Sequence, residues 1–224
     1  MTWTPVINCS VDASGARQAA LANHLVVIVD IIDMSTTLEG ALEAGALKVY
    51  GASPDRVQPP VPVNPFRIGQ KAGLLARQLK VPVVIVAEPR FGPHRSRLAA
   101  CASVRRGLHE AGVADYLVVP NLGASTAEVV DFKSTIVVAV TYSGGVAYDA
   151  AYNAGGTCTT ATIARTRHMK GLEPARRGIQ RALHLARIRR KNITFVAASS
   201  QSLEDVLAAQ WLSQFAVANR NRRL

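Results

Sequence analysis

The chain is predicted to be an α/β protein, a layered and mainly parallel sheet flanked by helices, on three observations. Short runs rich in Val and Ile recur along its length, longer segments with apolar residues at helical spacing separate them, and no linker is long enough to mark a domain boundary. A parallel strand covered on both faces reads as a continuous apolar run, and the predicted strands read so: residues 25–29, 47–50, 81–86, 116–119, 135–140 and 193–197. All 224 residues are therefore assigned to one α/β domain, with its core over about 25–215 and a basic tail at 219–224 that should fray.

The connecting segments follow from local chemistry. In DIIDMSTTLEGALEAGALKVY, Thr36 followed by Glu39 has capping-box spacing, and Leu38, Ala41, Leu42 and Gly45 trace one helical face. The run PPVPVNP, within 55–65, excludes helix and central strand and predicts a surface loop before a helix over 68–79. One further helix is predicted over 95–111, and a short one over 124–130 opened by Ser125 or Thr126. Ser202-Leu203-Glu204-Asp205 repeats the capping-box spacing, and Leu203, Val206, Leu207, Trp211 and Phe215 predict a terminal helix with a buried stripe.

Composition bounds the function. Hydrophobic residues make up 49% and charged residues 18%, which excludes the disordered class. The opening MTWTPVINCSVDASGARQ lacks a basic region followed by an apolar one, and no segment is apolar for long enough to span a bilayer, so a cytoplasmic protein is expected. Cys9, Cys101 and Cys158 are far apart, without CxxC or Cys/His spacing, and read as ordinary reduced residues. A formal charge of +11 invites an anionic partner: nucleic acid, a membrane surface, or a phosphorylated or sulfonated small molecule. No GK[ST] loop, no GxGxxG after the first strand and no GxSxG occur, which disfavours nucleoside triphosphates, dinucleotides and a serine-hydrolase elbow.

In a parallel sheet all strands end on one edge, where helix N-termini offer unpaired N–H groups to anions. The residues after the predicted strands are Asp30 and Asp33, then Glu88 and Arg90, Asn121 and Ser125, Thr141, Ser143, Gly144 and Gly145, and Ser199 and Ser200. Such a set can hold a divalent cation and a phosphate together. Carboxylates past a buried strand need donors, a partner or a metal, and Mg2+ with its waters would serve Asp30 and Asp33; the plainer alternative is that one caps a helix and the other faces water. AEPRFGPHRSR places Glu88, Arg90, His94, Arg95 and Arg97 in a loop able to clamp a charged ligand, with His94 a candidate proton donor, or else a set of solvated charges. In TYSGG the glycines either let backbone approach a ligand or only make a turn. Along RTRHMKGLEPARRGIQRALHLARIRRK, Arg176, Arg177, Arg181, His184 and Arg187 share a side opposite Ile179, Leu183 and Ala186; a solvated amphipathic face is favoured there over nucleic-acid contact.

The order of these segments resembles the 2-phosphosulfolactate phosphatase (ComB-like) family from about Leu25 to Phe215. VVIVDIIDMSTTLEGALEAGALKVY is similar to that family's opening strand, aspartate, Thr/Ser-rich turn and helix; SLEDVLAAQWL resembles its closing helix, after the strand ITFVAAS. KSTIVVAVTYSGGVAYDAAYNAGG resembles the segment carrying a TTNGT-like motif, TTATIA its NAS-containing segment, and AEPR and NLGAST stand where GER-like and GNSP-like turns occur. The chain departs from the pattern at Asp33, where the family has arginine, at Ser143, where it has asparagine, and at Ala197 and Ala198, where a cysteine is usual. The resemblance implies a ComB-like fold and a Mg2+-dependent phosphatase of a small anionic phosphoester. It carries over Asp30 and Glu88 as metal or catalytic acids and Thr141, Ser143 and Gly144 as phosphate contacts, and adds Ser35 and Thr36 of the first turn as substrate contacts. Two other readings stand beside it: a different reaction on a small acidic or amino-acid-like metabolite, and a non-enzymatic polyanion binder. A homo-oligomer is expected.

Overall fold

The structure is a computed structural model that describes residues 3–220, so residues 221–224 of the basic tail lie outside the described residues. Along the chain run β1 (Ile7–Val11), α1 (Asp12–Leu21), β2 (Leu25–Val29), α2 (Met34–Glu43), β3 (Lys48–Ala52), α3 (Pro65–Leu79) and β4 (Val83–Ala87). There follow α4 (His94–Ala100), α5 (Ala102–Glu110), β5 (Tyr116–Pro120), a 3-10 turn (Gly123–Ser125), α6 (Thr126–Val129), β6 (Ile136–Val140) and α7 (Gly144–Asn153). The chain closes with β7 (Thr157–Thr160), α8 (Glu173–Arg189), β8 (Ile193–Ala197) and α9 (Leu203–Asn219).

The fold is a layered α/β architecture in which every strand pair is parallel, and its strands divide between two sheets. The first has the order β1-β8-β2-β7 and the second β3-β6-β4-β5. All six predicted strands are present, joined by β1 and β7. The β1 sequence INCSV was missed because it is an edge strand with only β8 beside it, so polar Asn8, Cys9 and Ser10 are tolerated there. The β7 sequence TCTT is buried but polar, and its hydroxyls are bonded inside: Thr160 Oγ1 donates to Ile28 O at 3.2 Å.

Period-two alternation decides which layer each strand residue joins. Leu25, Val27, Val29, Ile193, Phe195 and Ala197 pack with Ile179, Ala182 and Leu183 of α8 and Ala208, Ala209 and Leu212 of α9. Val26, Ile28 and Val196 turn to the opposite face and join α1, α2 and the second sheet in the larger core. Helices α2 and α7 contact strands of both sheets, and α2 is buried from Met34 to Ala41.

Four local expectations are corrected. Helix α2 starts at Met34, so Thr36 is not a cap; its hydroxyl donates to Ile31 O, and Glu39 pairs with Arg181. The helix expected over 95–111 is two helices with Cys101 between them. Ser202 does cap α9, accepting from Asp205 N at 3.3 Å, but the buried face of α9 is Asp205, Ala208, Ala209, Leu212 and Ala216. Of the expected stripe, Val206 and Phe215 pack half-buried against this core, whereas Leu203, Leu207 and Trp211 are exposed, because alanines fill the closest contact of α9 with the sheet. Finally, Arg181 leaves the basic side of α8 to reach Glu39, while Arg176, Arg177, His184 and Arg187 stay exposed.

Asp149 of α7 ties the proline loop to the core: Oδ1 accepts from Asn64 N at 2.7 Å and Oδ2 from Ser53 N at 3.1 Å. Burial pushes its carboxyl up to about 6 from 3.8. Between those values the folded protein binds the proton more tightly than the unfolded chain, so this group's contribution to stability falls as pH rises through the interval. We expect a decline on the order of 1–3 kcal/mol from this residue, absent in Asp149→Asn, when urea midpoints are compared across pH. Parallel pH profiles for the two proteins would exclude it.

Candidate active site

The strand ends of the two sheets meet where α2 and α7 begin. Asp30 follows β2 in the first sheet and is 2% exposed. Its Oδ2 accepts from Gly144 N at 2.8 Å and Ser143 Oγ at 2.9 Å, both from the turn after β6 in the second sheet. Its Oδ1 accepts from Asp33 N at 3.1 Å, and its own N–H donates to Ser35 Oγ at 2.9 Å. One carboxylate thus joins the two sheets and sits at the N-terminus of the ten-residue α7, where the helix dipole favours an anion.

Gly144 is required here. A Cβ on it would lie 2.3 Å from Asp30 Oδ2 and 2.8 Å from Met34 Cβ. At Gly145 a Cβ would meet Ala52 O at 2.1 Å. The close approach that these glycines permit is therefore to the protein's own groups, and both lie in the first turn of α7.

Beside Asp30 stand two further acids. Asp33 Oδ1 pairs with the Arg90 guanidinium at 2.9 Å, and Arg90 Nε also donates to Asn121 O at 3.0 Å, which fixes the side chain across the β4 and β5 ends. Glu88, at the end of β4, accepts from Tyr142 N at 2.9 Å and faces Asp33. Burial, with Asp33 and Asp30 adding repulsion, pushes the Glu88 carboxyl up to about 7. Burial likewise raises Asp30, against the pull of the Ser143 and backbone donors. Of the three carboxyls, Asp33 alone is paired with a cation among the described residues, Arg90, while Asp30 is held by three hydrogen-bond donors and Glu88 is pushed toward its protonated form.

A depression of about 360 Å³ opens on Asp30, Asp33, Ser143, Ser199, Ser202 and Asp205. Asp205 was read in the sequence only as part of a cap. Its Oδ1 accepts from Ile31 N at 2.8 Å, so it braces the turn that carries Asp30, and burial pushes it up to about 6. Its position just after the last strand, on the same edge as the other acids, was the signal available.

The remaining candidates divide plainly. Asn121 is fully buried, its Oδ1 accepting from Thr37 Oγ1 and from Gly123 N at 3.2 Å, while its Nδ2 has no partner among the described residues. Ser35 donates to Ile28 O at 2.9 Å, Thr36 pairs with Thr162, and the Thr141 hydroxyl accepts from Gly145 N at 2.7 Å; these hydroxyls brace the backbone. Ser200 is exposed and donates its N–H to Asp12 at 2.7 Å. Ser125 and His94 are exposed and, like Glu88 and Arg90, do not line the depression; Glu88 and Arg90 reach it only through their contacts with Asp33. Arg97 staples its own loop through Pro89 O and Gly92 O, and Arg95 lines a neighbouring hollow of about 510 Å³ with Arg56 and Tyr142.

No helix among the described residues is long and apolar enough to cross a membrane. Among those residues no three His, Cys, Asp or Glu side chains are arranged to hold a metal ion by themselves. No protein-family model matches the chain, and no curated protein matches it.

Proposed function

We propose that this chain is a diverged ComB-like enzyme that hydrolyses a small anionic phosphoester with the help of Mg2+. The observation that carries the reading is the convergence of Asp30, Asp33 and Glu88 at the joined strand ends, with Arg90 paired to Asp33. The donor set fits a partly hydrated Mg2+, which needs only one or two carboxylates beside water and a substrate phosphate. Asp30 has three donors on its two oxygens, whereas Glu88 and Asp33 accept from one group each and otherwise face one another. Glu88 and Asp33 would hold the ion, with Asp30 behind them.

When bound, the metal supplies charge that polarises the phosphoryl group. The chain's own part is placement. Asp30 locks the start of α7 against the first sheet and so sets Ser143 and Asp33; the acids orient the attacking water; Arg90 neutralises charge that develops on the phosphoryl oxygens. His94 has no step here, since it is exposed at the start of α4 and, unlike Glu88 and Arg90, has no contact with Asp33 among the described residues.

The test is release of inorganic phosphate from a panel of small phosphorylated acids, with Mg2+ and with chelator. Turnover that needs Mg2+ is expected. A second reading, acid–base chemistry on a small acidic metabolite, is favoured by Glu88 facing Asp33 at the end of β4, where burial pushes its carboxyl up to about 7. Absence of phosphate release from every ester in the panel would set aside the phosphatase in its favour.

A further inference from the structure

Helix α9 carries an apolar row on its outer side. Leu203 is 67% exposed, Leu207 54% and Trp211 37%, and they follow one another at four-residue steps. Phe215 continues the row, half-buried, with its ring stacked on Trp211 at 5.0 Å between centroids and 10° between planes. The two rings brace each other, so the row is a formed surface rather than a set of loose side chains. Isolated exposed apolar residues are ordinary, but three at four-residue steps along one helix, ending on a Phe215 that packs partly on the core, are not.

The chain carries 26 Lys and Arg against 15 acids, and yet α9 has none of either basic residue from Leu203 to Asn219. Two copies of a protein with a formal charge of +11 repel one another where their basic faces meet, and the outer face of α9 lets them approach without that repulsion. The row also complements itself. Laid antiparallel on a second α9, Leu203 meets Phe215 and Leu207 meets Trp211, so all four side chains find an apolar neighbour in one register. Rows at four-residue spacing pack into each other's grooves in this way. Antiparallel pairing further brings the acidic start of each helix, Glu204, toward the basic end of the other, where Arg187 donates to Arg220 O at 2.5 Å. Parallel pairing would set like ends together.

We infer that the chain forms a two-fold symmetric homodimer through the outer face of α9, its apolar row paired antiparallel with that of a second copy. A two-fold interface uses the same patch on both subunits, and a self-complementary row is what such symmetry needs. The inference is independent of the chemistry proposed above.

Sedimentation of the full chain at micromolar concentration is expected to return twice the 23.9 kDa chain mass. Leu207→Glu and Trp211→Glu, both at exposed positions, are each expected to return the single-chain mass while keeping the circular dichroism and cooperative unfolding of the parent. Tyr116→Phe, remote from α9, controls for unspecific effects and should stay dimeric. A parent chain that sediments as a monomer, or a dimer that survives both substitutions, overturns the assignment.

Discussion

Arg181→Met is expected to lower the stability of the folded protein by about 3–5 kcal/mol, the cost of leaving one buried partner of an ion pair alone. Glu39 is 1% exposed, in the middle of α2, and Arg181 reaches it from α8 while also donating to Thr160 O at 2.7 Å and Thr159 Oγ1 at 3.1 Å. Burial pushes the Glu39 carboxyl up against the pull of that guanidinium, so the ionised form depends on Arg181 staying in place. The substitution also removes the donor that satisfies Thr160 O on β7, an edge strand of the first sheet. A loss of this size lowers the melting temperature by roughly 6–20 °C in a domain of this length. The double variant Glu39→Met with Arg181→Met should recover a large part of the loss, because an apolar pair of similar volume carries no desolvation cost. Urea denaturation of the four proteins in this cycle measures both effects. A single variant within 1 kcal/mol of the parent, by the same order-of-magnitude scale, would mean that water reaches Glu39 and the pair is not structural.

Substitution of Asp30 separates its two roles. Asp30→Ala strips the acceptor from Gly144 N, Ser143 Oγ and Asp33 N at once, and buried donors left unpaired cost about 1–3 kcal/mol each. Asp30→Asn can keep an oxygen toward Gly144 and Ser143 and turns its amide toward Asp33 N, so it loses one acceptor and the charge. We therefore expect Asp30→Ala to be severely destabilised and Asp30→Asn to fold with a loss of about 1–3 kcal/mol. On the proposed chemistry, phosphate release by Asp30→Asn should fall on the order of 10²–10³-fold, the effect typical of removing one electrostatic contributor. Release at the parental rate from a folded Asp30→Asn would sink the catalytic role and leave Asp30 as the anchor of α7.

The two roles are of unequal visibility in a sequence. An aspartate directly after the apolar run LVVIV could be singled out from spacing, because a carboxylate beside a buried strand must be satisfied somehow. That its partners are Ser143 and Gly144, 113 and 114 residues away, could not. The same holds for Glu88 and Asp33, whose mutual repulsion exists only because β4 and the turn into α2 end at one place. The mistakes have the same origin. Thr36 and Glu39 have capping spacing, but a polar side chain in a helix packed between two sheets bonds across that interface instead, to Thr162 and Arg181. Large apolar side chains usually face inward, which predicts a buried terminal stripe; in α9 Leu212, Val206 and Phe215 do turn to the core with the alanines, while Leu203, Leu207 and Trp211 are left outside.

What the sequence by itself determined is the class of the molecule: apolar runs of strand length, helical periodicity between them and polar turns at their ends specify a parallel α/β fold, since these are short-range regularities of burial and backbone hydrogen bonding. Only the tertiary structure decided that the strands form two sheets, that Asp30 bridges them, and which acid pairs with Arg90. Those outcomes depend on contacts between segments far apart in the chain, and local propensity carries no information about such pairs.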